Sequence, residues 1–225
     1  MKYIYHHLGL GDHIICNGLV RSVIDPNKNY SIFVKENNYN TVKFMYRDIH
    51  NLDYIVGDDS FVENYIRTNN ITKNNLIIAG FTNIINSPSF DQSFYLQNNI
   101  PFENRWDKFK VVRDVESELD LFKKFNVDKK KYIFIHDDDR FQIDLNKINN
   151  PEGLPIVKCV KGLTENLFDF CYLIENSVEC HTIESSLQFI IDSISLNSEN
   201  YVHRYCRPLP EWEKPQYKTV KKILY

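Results

Sequence analysis

Three short stretches of the sequence hold residues whose types and spacing could do chemistry. The first is Leu8-Gly-Leu-Gly-Asp-His13, preceded by His6 and His7. A turn carboxylate such as Asp12 can take a proton from a substrate hydroxyl as a general base. Gly9 and Gly11 read as positions that permit unusual backbone angles and leave room for a ligand against the main chain. Asp12 is also a good N-cap for a following helix. The second stretch is His136-Asp-Asp-Asp-Arg140. Here Arg140 can reach a diphosphate as a charge-assisted donor. Alternatively, Asp137, Asp138 and Asp139 can hold a divalent ion that bridges a nucleotide diphosphate. The third is His181-Thr-Ile-Glu-Ser-Ser186. Thr182 reads as an N-cap with Ser185 in the first turn, where free amides and the helix dipole attract anions. Glu184 is then placed to hydrogen-bond a sugar or ribose hydroxyl. Each stretch, taken singly, also fits an ordinary turn or cap.

Several chemistries are excluded by what is missing. Ile14 stands where the dinucleotide fingerprint needs its third glycine, and no Gly-Lys-Ser/Thr follows the turn. No Gly-x-Ser-x-Gly elbow is present. The His and Cys residues lack zinc-site spacing, and no cofactor or resident metal is expected. Five scattered cysteines, an odd count without a Cys-x-x-Cys pair, suggest reduced thiols rather than a disulfide framework. With no signal-peptide pattern and no apolar run of spanning length, the expected location is cytoplasmic. A net charge of −3 and a pI near 6.2 offer no global basic field for nucleic acid. The basic run at residues 218–222, with Tyr217, Ile223, Leu224 and Tyr225, suggests weak peripheral contact with an anionic membrane surface.

These residues must be positioned by something, and the hydrophobic pattern says what. Strands are expected at residues 2–7, 30–35, 52–56 and 76–79, with helices at 13–24, 39–46 and 60–68 between them. A long aromatic and polar connection follows at residues 86–112, carrying Pro88, Pro101, Arg105 and Trp106 and a short helix at 94–98. A helix at 116–125 leads into strands at 132–136, 155–160, 178–180 and 201–205, with helices at 167–175 and 183–194. Such alternation specifies mostly parallel sheets covered by helices. The expected fold is compact α/β, with two Rossmann-like halves, residues 1–112 and 113–225, facing a cleft. Open α/β sheets bind ligands at the carboxyl ends of their strands, and all three stretches fall at such ends. Strand alternation sends one of His6 and His7 toward the cleft and the other into packing. His7 is taken as the cleft residue, beside Gly9, Gly11, His13 and Arg105.

The run from Leu8 to Arg21 resembles the opening of the ADP-heptose:lipopolysaccharide heptosyltransferase family, which are GT-B glycosyltransferases. The family's turn aspartate, its proposed catalytic base, matches Asp12. Its late Asp-Ser-Gly motif and helix-start histidine, where donor phosphates bind, correspond to residues 181–186. Here the glycine is absent and the acid is Glu184. Residues 94–109 and 132–140 resemble small glycosyltransferase-like proteins of bacterial and viral polysaccharide clusters. The resemblance implies a GT-B enzyme but not a particular sugar; the expected activity is metal-independent hexosyl or heptosyl transfer from a nucleotide-sugar donor to a glycan or lipid-linked acceptor. The implied donor set is His136, Arg140, His181, Thr182, Glu184, Ser185 and Ser186, on the C-terminal half. The implied acceptor side is the N-terminal half. Two rival readings stay open on sequence alone: a GT-A enzyme using Asp137–Asp139 and a metal, and a non-catalytic nucleotide-sugar or phosphate-binding module.

Overall fold

A computed structural model describes residues 1–81, 87, 89–160, 162–194, 196 and 198–225. Asn86 and Pro88 of the expected connection lie outside the described residues. The chain divides into two compact units, Met1–Val112 with Glu211–Gln216, and Arg113–Pro210 with Tyr217–Tyr225.

The first unit opens with β1 (Lys2–His6), α1 (Leu10–Ile15) and α2 (Asn17–Val23). It continues through β2 (Tyr30–Val34), α3 (Tyr39–Met45), β3 (Leu52–Val56), α4 (Asp59–Thr68) and β4 (Leu76–Ala79). The strands form a parallel sheet in the order β3-β2-β1-β4. Every residue of β2, Tyr-Ser-Ile-Phe-Val, is buried, as suits a parallel strand covered on both faces. Asp58 caps α4 by accepting the Phe61 amide at 2.8 Å. Tyr5, Leu8, Phe33 and Val62 form a core cluster under β1 and β2.

The one helix expected at residues 13–24 is broken at Cys16, and the cause lies in α5 (Phe90–Leu96). The buried Tyr95 hydroxyl donates to the Ile15 carbonyl at 2.7 Å and accepts the Leu19 amide at 3.2 Å. Those two groups would otherwise bond each other, so the phenol is inserted into the helical ladder, a recognised cause of kinks. A further short helix, α6 (Asn104–Asp107), completes the unit.

The second unit holds α7 (Val115–Lys124), β5 (Ile133–His136), β6 (Ile156–Lys158), α8 (Cys171–Glu175), β7 (Glu179–Thr182), α9 (Ser186–Ile194), β8 (Glu199–His203) and β9 (Lys222–Leu224). Its parallel sheet has the order β6-β5-β7-β8-β9. Ile133, Ile135, Ile143, Ile148 and Ile183 pack as its core cluster. The sequence pattern does not foresee β9, because a lysine-rich segment reads as a solvated tail. Part of that tail is an edge strand paired with β8, and Lys221 forms an ion pair with Glu199.

The segment Glu211–Gln216 belongs to the first unit, where a single boundary at residues 112–113 would put it in the second. The reason is a buried clamp. Asp91 and Arg105, both with fully buried side chains, form an ion pair. Asp91 accepts the Gln216 amide at 3.0 Å, and Arg105 donates to the Gln216 carbonyl at 2.8 Å.

In each sheet the chain reverses its winding once. The reversals fall between β1 and β4 in the first sheet and between β5 and β7 in the second. Ligands of open α/β sheets bind outside the carboxyl ends of the strands at such switch points.

Candidate active site

In the first unit the loop after β1 lies at the switch point. The backbone turns helical at Leu10, so Gly9 is the N-cap of α1 and Asp12 is a first-turn residue. This corrects the N-cap expectation for Asp12. Gly9 has φ −68°, and Gly11 sits inside the helix, so neither needs unusual backbone angles. What Gly9 supplies is space. A Cβ there would lie 2.5 Å from Asp12 Oδ2, so the carboxylate folds back over the turn that only glycine leaves open.

Gly80, just past β4, does occupy the left-handed region at φ +93°. The exposed His7 donates from Nε2 to the Gly80 carbonyl at 2.5 Å and packs on Phe81. His7 thus bridges the ends of β1 and β4, beside the Asp12 turn.

His13 and Arg105 are placed elsewhere than expected. His13 is buried with Ile14 and Ile15 and meets the buried His6 edge to face at 4.3 Å. Neither ring nitrogen of His13 has a hydrogen-bond partner among the described residues. Arg105 is committed to the Asp91–Gln216 clamp, because a fully buried guanidinium needs a paired carboxylate. Both are core residues rather than ligand contacts.

Burial holds the His6 pKa at about 4 and pushes His13 well below its ordinary value. The unfolded chain therefore binds a proton at His6 that the folded chain refuses, and stability is lost as pH falls from 6.5 toward 4. The full His6 contribution is about 3 kcal/mol. His6 Nδ1 donates to the His7 carbonyl at 2.7 Å, a bond that an Asn amide can copy. His6→Asn is expected to flatten the pH dependence of urea unfolding by up to about 1.4 kcal/mol per pH unit in that window. An unchanged slope would show that His6 does not titrate on unfolding.

In the second unit, His136 ends β5, and its carbonyl accepts the Ile183 amide at 3.1 Å. Its Nδ1 is buried without a partner among the described residues, and burial lowers its pKa to about 4. The acidic run is largely committed. Asp137 accepts the Ile143 amide and pairs with Lys158, each at 3.1 Å. Asp138 accepts the Arg140 and Phe141 amides at 2.8 and 3.1 Å, shaping a tight turn. That turn projects Arg140, whose side chain is 80% exposed and lies over the Phe141 ring. Among the described residues no three His, Cys, Asp or Glu side chains are grouped to hold a metal ion.

Thr182 ends β7, and α9 starts only at Ser186, so Thr182 is not its N-cap. The Thr182 hydroxyl instead donates to Gln188 Oε1. Ser185 takes the capping place, with its carbonyl accepting the Phe189 amide at 3.3 Å. His181 lies on the sheet, almost fully buried and stacked on Tyr201, so it is not at the strand end with the other expected donor residues. Glu184 is buried against Arg204, whose Nε donates to it at 2.8 Å. Burial raises its pKa and the guanidinium opposes that rise.

Four buried polar atoms near this switch point lack partners among the described residues: His136 Nδ1, Glu184 Oε2, Ser185 Oγ and Gln188 Nε2. An unsatisfied buried polar group costs about 1–3 kcal/mol. Ordered water or a polar ligand can supply the missing bonds there. Sequence reasoning missed Arg204 and Arg207. Arg207 donates to the Glu184 carbonyl at 2.9 Å and shares the Phe141 ring with Arg140. The available signal was two arginines three apart directly after a strand.

The class these features define is an α/β protein of two units, each built on a parallel sheet, as in the GT-B fold. The crystal structure of the glycosyl transferase family 9 from Veillonella parvula DSM 2008 is similar over 100% of this chain and 85% of that chain, with a TM-score of 0.58. At 8% sequence identity this is a likeness of fold. No family model matches the sequence, and no curated protein matches it.

Proposed function

We propose that the protein is a sugar-nucleotide-dependent glycosyltransferase of GT-B type, moving a hexosyl or heptosyl group to a glycan or lipid-linked hydroxyl. The observation that carries the reading is Asp12, held over Gly9 at the switch point of a sheet in a glycosyltransferase fold. In this proposal the first unit presents the acceptor. Asp12 takes the hydroxyl proton as the acceptor oxygen bonds to the anomeric carbon and the bond to the diphosphate breaks. His7, next to that turn, contributes to the acceptor side. The second unit holds the donor. Arg140, Arg207, Ser185, Ser186 and the first amides of α9 stabilise the departing diphosphate. Glu184 and His136 offer their open polar atoms to the ribose or sugar. Fixed cationic groups take the part a metal plays elsewhere, and the reaction belongs in the cytoplasm. No helix among the described residues is long and apolar enough to cross a membrane.

The test is a thermal-shift screen against a panel of nucleotide sugars, followed by turnover with the best donor. A ligand at 100 times its Kd adds about 2.7 kcal/mol to the folded state. Arg140→Ala should weaken donor binding by about 1.5–3 kcal/mol, the value of one charge-assisted contact. Chelation should leave both binding and turnover intact. Loss of turnover on chelation with rescue by manganese would favour metal-dependent transfer. Donor binding without turnover would favour a non-catalytic module. A panel that produces no shift would overturn the proposal.

A further inference from the structure

Three side chains on one face of the second sheet and a fourth, Tyr205, just beyond it form a continuous hydrogen-bonded line. Glu179 Oε2 lies 3.0 Å from His181 Nε2. His181 Nδ1 lies 2.8 Å from His203 Nε2, and His203 Nδ1 lies 3.1 Å from the Tyr205 hydroxyl. The Tyr205 oxygen also accepts the Asp144 amide at 3.2 Å, in the loop after β5. Glu179 opens β7 and Tyr205 follows the end of β8, so the line runs the length of the strands from the amino edge to the carboxyl edge.

The direction of every bond can be worked out. A carboxylate only accepts, so His181 carries its proton on Nε2. When neutral, its Nδ1 is then an acceptor, and His203 must donate from Nε2. His203 Nδ1 in turn accepts, and only the Tyr205 O–H can supply that hydrogen. Both rings are neutral Nε2–H tautomers, and all donors point toward Glu179. Burial lowers the pKa of both histidines, that of His203 to about 4, with Lys147 adding to the effect. The surrounding groups are Tyr201, stacked on His181, and Lys147, over the Tyr205 ring at 3.7 Å. Tyr201 is held by Glu199, which pairs with Lys221.

We propose that Glu179, His181, His203 and Tyr205 are a proton relay between the carboxyl edge of the second sheet and the solvent at its amino edge. A proton delivered to the Tyr205 oxygen by a protonatable ligand group, such as a phosphate, moves the phenolic proton to His203 Nδ1. The His203 Nε2 proton then passes to His181 Nδ1, and the His181 Nε2 proton passes to Glu179. One proton enters, one leaves, and each ring remains neutral with its tautomer reversed until it relaxes. The relay requires no particular substrate and stands apart from the proposed transfer.

The test is NMR on the intact, 15N-labelled chain without ligand. Long-range imidazole spectra at neutral pH should show His181 and His203 as neutral Nε2–H tautomers. Their ring protons should exchange rapidly with water despite burial. Glu179→Gln removes the acceptor-only end and should introduce the other tautomer at His181. Tyr205→Phe removes the entry hydroxyl and should abolish the rapid exchange at His203. Both changes fall on half-exposed residues and keep side-chain size, so the fold should survive. A cationic ring or an Nδ1–H tautomer at either histidine would overturn the proposal. So would exchange that neither variant alters.

Discussion

Asp12→Asn is expected to cut glycosyl transfer by about 10²–10⁴, the usual contribution of a general base. Asn keeps the size of the side chain and can occupy the space over Gly9, but it cannot take up the acceptor's proton. Donor affinity and fold should be preserved. The lost charge in the first turn of α1 costs no more than about 0.3–1 kcal/mol through the helix dipole. Turnover with the correct donor and acceptor, measured beside an unchanged melting curve, separates the roles. Near-normal turnover would leave Asp12 a structural first-turn carboxylate. His7 would then be the next candidate base, because His6 and His13 are enclosed in the core.

Arg105→Ala carries the largest expected cost in stability, about 3–5 kcal/mol, because it strands the Asp91 carboxylate in the interior. Urea denaturation should report it as a lower midpoint. Combining Asp91→Leu with Arg105→Met in one chain should recover part of the loss, since well-packed apolar residues can substitute for a buried ion pair. Recovery should be incomplete, because the Gln216 amide and carbonyl would still lack their partners. A loss for Arg105→Ala of only about 0–1 kcal/mol, the value of an exposed pair, would refute the clamp.

The sheets were largely legible in the sequence. Leu52–Val56 and Leu76–Ala79 are strands with the expected bounds, because β-branched runs bounded by polar turns leave little choice. Helix starts were harder. Asp12 and Thr182 are good capping residues by type, yet Gly9 and Ser185 take those places. Backbone direction at the strand end decides that, and composition does not encode it. The break at Cys16 depends on a phenol eighty residues away in sequence, at Tyr95, which no local pattern reveals. The exposure of Arg140 and of His7 was readable from their strand-end positions. The burial of Arg105 and His13 was not, because it depends on packing against Asp91, fourteen residues away, and His6, seven residues away, at spacings that bring no two residues into contact within a single helix or strand. The line from Glu179 to Tyr205 escaped for the same reason. Each strand contributes only alternate residues, and their meaning appears when β7 and β8 are set side by side.

The clamp also bears on how the chain is made. The Asp91–Arg105 pair is complete only when Gln216 brings its main chain to it, more than a hundred residues later. While the polypeptide emerges from the ribosome, the first unit can form its sheet but keeps an open polar seam until residue 216 has been synthesised. Closure of that seam therefore follows the synthesis of β8 in the second unit. A fragment ending at Val112 would carry the seam permanently, and the two units are poor candidates for production as separate pieces.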